Sequence, residues 1–122
     1  MSDTAQIFIP ALLASKVRSI REFQVSRKDI SETETFTLEG DKDCIIGRNI
    51  EGVDIPLNGP GVSNQHAKVF SRRGKVYIQD LESTNGVLLN GERVLEAVLY
   101  PGDLIYINQY MILYVERFEI NE

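Results

Sequence analysis

Sulfur and imidazole are almost absent from this chain: it has one cysteine, Cys44, and one histidine, His66. A lone cysteine excludes an intrachain disulfide and suits a reducing, cytoplasmic setting. With a single histidine beside it, it also falls short of a structural zinc set, so no metal or cofactor is expected. Long hydrophobic runs are missing too. No stretch approaches the ~20 apolar residues that span a bilayer. Near the N-terminus Asp3 stands where a signal peptide carries Lys or Arg, and Pro10 interrupts the run Ile7-Phe8-Ile9. Positive charge is scarce, with 13 Lys and Arg against 18 Asp and Glu, for a formal net charge of -5. That balance lacks the basic field that nucleic acids and anionic membranes require. A small basic pocket remains compatible with it, since local charge decides local binding.

What is present is ordinary globular composition, 25% charged and 43% apolar over 122 residues. This is enough chain for one domain with a real core. Residues 1–18 read as an N-terminal arm or short docked segment, with helix formers from Ala11 to Arg18 that amount to about two turns. From residue 19 to 122 the pattern is β. Strands are expected at Ile20–Val25, Glu34–Leu38, Cys44–Ile46 and Asp54–Leu57, where Pro56 demands an edge or a strand end. His66–Arg72 and Lys75–Leu81 flank Arg73-Gly74 as a hairpin. Val87–Leu89, Arg93–Leu95, Leu104–Asn108 and Tyr110–Phe118 complete the set. About ten or eleven short, mostly antiparallel strands punctuated by Gly, Pro and Asn predict an all-β, two-sheet sandwich. Such a fold gathers its loops at the two ends, so binding residues are sought on the loops of one end.

Asp80 to Gly91 stands out, with two Asn-Gly pairs enclosing Val87-Leu88-Leu89. Asn-Gly is the strongest short-range turn signal, because both residues tolerate φ > 0. Ser83 and Thr84 precede the first pair as hydroxyls on an exposed loop. Two upstream motifs complete the picture: Gly47-Arg48-Asn49 after an apolar strand, and Ser63-Asn64-Gln65-His66 before another. Together they offer a guanidinium fork, hydroxyls and carboxamides, a donor-rich and acid-poor set suited to an anion. On a phosphate dianion Arg48 can present parallel N–H groups, with Ser63 and Thr84 as neutral donors. Lys68, Arg72 and Arg73 in the neighbouring hairpin are expected to add a positive field. Each element also has a structural reading: Arg48 as a surface ion pair, Ser63 and Thr84 as turn hydroxyls, His66 as a brace between loops.

The ordered set Gly47-Arg48, Ser63-x-x-His66, Asp80-Leu81-x-Ser83-Thr84-Asn85-Gly86 and Asn90-Gly91 resembles the forkhead-associated (FHA) domain. The tail Leu99-x-Pro101-Gly102-Asp103 adds to the resemblance, which covers about residues 34 to 118. It implies a β-sandwich that binds phosphothreonine peptides, with Arg48, Ser63, Asn64 and Thr84 on the phosphate and Asn85 on the peptide backbone. It further implies that Gly47, His66 and Gly86 shape the loops, and the Asn90-Gly91 turn is expected to brace the same edge. Two positions depart from the family pattern. Gly61 stands where some members carry a side chain that selects the third residue after the phosphothreonine, and Asn108 stands where glycine is common.

The expected function is therefore a phosphopeptide-binding adaptor in Ser/Thr-kinase signalling, with a phosphothreonine-containing protein as partner. The chain's own arm, phosphorylated at Thr4, is a second candidate ligand. The competing reading is a phosphate-independent interaction scaffold of the same fold, mildly favoured by the acidic charge. An enzyme with Ser63 as nucleophile and His66 as base is disfavoured, because no orienting acid, nucleophile elbow or metal set accompanies the pair.

Overall fold

The computed structural model describes residues 16–120. Eleven strands follow one another in the chain. They are β1 (Val17–Arg27), β2 (Ile30–Leu38), β3 (Cys44–Gly47), β4 (Ile55–Pro56), β5 (Ala67–Arg72), β6 (Lys75–Asp80), β7 (Val87–Leu89), β8 (Glu92–Val94), β9 (Glu96–Leu99), β10 (Leu104–Ile107) and β11 (Tyr110–Ile120). They form a six-stranded sheet in the order β2-β1-β11-β10-β7-β8 and a five-stranded sheet in the order β4-β3-β5-β6-β9. Every pairing is antiparallel except β3 with β4. The architecture is the expected all-β sandwich.

Alternation along the strands makes the core. Phe23, Ile46, Val69, Ile78, Val87, Ile105, Ile112 and Tyr114 each turn one face inward and are essentially without solvent exposure. The Phe23 and Tyr114 rings meet at 5.2 Å between centroids. Cys44 joins this core, and burial pushes its thiol up to about 12, with the Asp54 charge a lesser cause. β4 lies at the edge of its sheet, where Pro56 withholds no hydrogen bond from a neighbour. The Arg73-Gly74 turn has φ of 54° and 77°, and Asn90-Gly91 has 51° and 90°. Both are the tight left-handed turns that close two-residue hairpins.

The strand pattern differs from expectation in three places. β1 begins at Val17 and pairs with Ile120, so Val17 and Arg18 belong to a strand rather than to a helical turn. The rest of the arm, Thr4 included, lies outside the described residues. β2 starts at Ile30, because the turn at residues 28–29 feeds directly into its pairing with β1. Arg93–Leu95 is not one isolated strand. β8 pairs with β7 in the larger sheet, and β9 pairs with β6 in the smaller. Leu95 makes the step between sheets, 75% exposed, with its carbonyl accepting from the Asp80 N–H at 2.8 Å. No Gly or Pro marks this crossing, so nothing in the local sequence announces it.

Candidate functional site

The motif residues meet at one end of the sandwich, where β3 ends and β5 and β7 begin. Gly47 closes β3 with its α-carbon pressed against the next loop. A Cβ there would stand 2.2 Å from the Asn64 carbonyl oxygen, so only glycine fits. That contact lets two loops run side by side: Arg48 N–H donates to the Ser63 carbonyl at 3.0 Å, and Asn49 N–H to the Asn64 carbonyl at 3.3 Å. The Arg48 side chain then leans on Asn64, donating to Oδ1 at 3.2 Å. One of its N–H groups is used in this way, and the rest of the fork remains for a ligand.

His66 is the brace beneath. It is fully buried, and Nδ1 accepts from the Ser63 N–H at 3.1 Å, which puts the proton on Nε2 for the Gly86 carbonyl at 2.8 Å. One ring thus ties two loops through their backbones. The same geometry removes the nucleophile–base pairing. The contact with Ser63 is to its backbone N–H, not its hydroxyl, and no ring nitrogen is left to take a proton.

Residues 80–86 form the opposite lip. Asp80 Oδ1 accepts from Ser83 N–H at 2.9 Å, and Ser83 Oγ accepts from Gly86 N–H at 3.0 Å. Ser83 is therefore buried structure rather than an exposed hydroxyl, a correction to the sequence reading. Only Gly86 of the Asn85-Gly86 pair has φ > 0, at 83°, while Glu82 adopts 56°. Holding a non-glycine residue there costs on the order of 1 kcal/mol, offset by the bonds that set Ser83 and present Thr84. Thr84 N–H donates to Ser63 Oγ at 3.2 Å, which leaves both residues' hydroxyl hydrogens free to point at an anion. Asn85 Nδ2 donates to the Gly61 carbonyl at 2.8 Å and keeps its carboxamide oxygen for another partner.

The result is a groove of about 320 Å³ lined by Arg48, Pro60, Gly61, Val62, Ser63, Asn64, Thr84 and Asn85. It contains one cation and no carboxylate. A second hollow, beside β2 and β4, carries Glu32 and Glu34 together with Arg27, so unlike the groove it is not free of carboxylates. Among the described residues no cluster of His, Cys, Asp and Glu is suited to a metal.

Other expectations are relocated. The Asn90-Gly91 turn lies at the far end of β7 from Gly86. There Asn90 braces the turn before β10, donating to Asp103 Oδ1 at 3.0 Å and accepting from Leu104 N–H at 2.9 Å. Lys68 pairs with Asp43 at 3.7 Å, and Arg72 lies over the Phe70 ring, so neither faces the groove. Arg93 was not anticipated. Its guanidinium covers Gly86 so closely that a Cβ there would lie 2.7 Å from Nε. This contact depends on the β7–β8 hairpin, and local sequence carries no sign of it. Gly61 and Asn108, the two departures from the family pattern, touch: a Cβ on Gly61 would meet Asn108 Nδ2 at 2.1 Å. Asn108 sits at φ 54°, the left-handed geometry that asparagine tolerates.

A family model for the FHA domain matches residues 44–108, more than half of the chain and all of the groove. The chain belongs to the FHA domain family. A probable serine/threonine-protein kinase of Dictyostelium discoideum is 36% identical over 81 residues, 55% of this chain and 5% of that protein, so the similarity is confined to the FHA region. The FHA domain of the CT664 protein from Chlamydia trachomatis superposes with a TM-score of 0.72 at 26% identity, covering 79% of this chain and 96% of that one. A structure from a study of phosphothreonine-dependent FHA domain interactions gives 0.67 at 28% identity, covering 77% of this chain and 95% of that one. FHA domains are interaction modules, and this chain is built as one.

Proposed function

We propose that the groove binds phosphothreonine in a partner protein. The observation that carries this reading is the convergence of Arg48, Ser63, Asn64, Thr84 and Asn85 on one carboxylate-free groove with unspent donors. Arg48 takes the phosphate with its free N–H groups, steadied by Asn64, while the Ser63 and Thr84 hydroxyls add donors. Asn85 holds the peptide backbone. Hydrogen bonds to a charged group contribute about 1.5–3 kcal/mol each, so three or four give specific, reversible binding once association entropy is subtracted. The loops are cross-linked before ligand arrives, which lowers the ordering cost further.

On this reading the chain is a cytoplasmic adaptor in Ser/Thr-kinase signalling. Its ligand is a phosphorylated partner, or its own arm phosphorylated at Thr4, where a short tether favours binding through high effective concentration. The test is an oriented phosphothreonine peptide library screened against wild type and Arg48→Ala. Wild type is expected to enrich a phosphorylated consensus that the variant does not retain. Equal recovery of the unphosphorylated library by wild type overturns the proposal in favour of a phosphate-independent scaffold.

A further inference from the structure

The β5–β6 hairpin breaks three local rules at once. Its turn opens on Arg73 at φ 54°, a conformation in which asparagine or aspartate is preferred and a long side chain is strained. Arg72 and Lys75 stand directly opposite each other in the register, where like charges repel. In a chain of net charge -5, Arg72, Arg73 and Lys75 crowd one turn, and none makes an ion pair among the described residues. Uncompensated violations of local preference are where function is expected.

The cations are also set in place. Lys68, Phe70 and Arg72 share the outer face of β5. The Phe70 ring stacks on Tyr77 at 5.3 Å, and Lys68 Nζ and Arg72 Cζ each lie 5.1 Å from its centroid. Asp43 pairs with Lys68, and Glu96 lies in register with Gln79 toward the end remote from the turn. Positive charge is thus concentrated in the turn itself, at Arg72, Arg73 and Lys75.

We propose that this face, centred on Arg72, Arg73 and Lys75, is a second docking surface, for an acidic segment of a partner protein. Nucleic acid is a poorer fit. Phe70 is 6% exposed and already stacked, so it offers bases no ring to stack on, and the net charge repels a long polyanion. β5 separates the tip from the groove by roughly 20 Å, so each surface can be occupied independently.

The test is fluorescence anisotropy with a labelled hexaglutamate peptide at low and high salt. The proteins are wild type, the triple variant Arg72→Ala, Arg73→Asn, Lys75→Ala, and Arg48→Ala. Wild type is expected to bind in a salt-sensitive manner, Arg48→Ala to match it, and the triple variant to lose about tenfold or more. The triple variant is also expected to melt higher than wild type, because asparagine suits the turn and the opposed charges are gone. That gain certifies its fold. The proposal is overturned if wild type does not bind, if the triple variant binds equally, if Arg48→Ala abolishes binding, or if an oligothymidylate binds more tightly than the peptide.

Discussion

The two ends of the sandwich handle positive charge in opposite ways. In the groove lining Arg48 is the sole cation, and its surroundings are hydrogen-bonded loop to loop: Arg48 to Asn64, Thr84 to Ser63, Asn85 to Gly61, and His66 across two loops. At the hairpin end, Arg72, Arg73 and Lys75 stand together without ion pairs among the described residues, and Arg72 alone of the three lies over the Phe70 ring. The first arrangement fixes its donors in a geometry suited to one small dianion. The second offers a diffuse field with little geometric demand. A single well-supported arginine thus makes the more discriminating site, because orientation rather than charge count decides how many charge-assisted bonds a phosphate can form.

The contrast can be broken most severely at His66. His66→Ala leaves the Ser63 N–H and the Gly86 carbonyl buried without partners and opens a cavity, a loss of about 4 kcal/mol in urea-denaturation stability. Neutralising the hairpin, by comparison, is expected to raise stability. Next comes Arg48→Ala, expected to weaken phosphothreonine binding by about 3 kcal/mol, or ~150-fold, with stability unchanged to within about 0.5 kcal/mol. Calorimetric titration and thermal melts on the same samples separate the two quantities. Gly47→Ala drives a methyl group into the Asn64 carbonyl at 2.2 Å. It should cost about 2 kcal/mol of stability and weaken binding as well, since the paired loops must part. The smallest effect belongs to Asn108→Gly, about 0.5 kcal/mol of destabilisation from backbone entropy. That variant frees the space beside Gly61, and a repeat library screen should show altered preference near one end of the peptide with overall affinity kept.

Much of this was legible in the sequence because short turn motifs carry their own geometry. Asn90-Gly91 and Arg73-Gly74 close the hairpins expected of them, and Pro56 lies on an edge as a residue without an N–H must. The motif order also placed Arg48, Ser63, Thr84 and Asn85 together. Features set by tertiary contact were not legible. Leu95 crosses between sheets with no turn residue to mark it, and Ser83 is buried by bonds to Asp80 and Gly86 that an isolated Ser-Thr pair does not disclose. Arg93 over Gly86 and Asn108 against Gly61 join residues from separate elements, and only the pairing of β7 with β8 and β10 brings them near. Charge was misplaced for the same reason. Arg72 and Arg73 are close to the groove in sequence, yet a full strand removes them from it.

Phosphate reading by Arg48 and its hydrogen-bonded loops is the proposal on which the rest depends. It is tested most directly by titrating one peptide, chosen from the library, in its phosphothreonine and unmodified forms against wild type and Arg48→Ala. Only the phosphorylated peptide is expected to bind wild type, and Arg48→Ala is expected to reduce this to the level of the unmodified form. Equal affinity of wild type for the two forms, or undiminished phosphopeptide binding by Arg48→Ala, would contradict it.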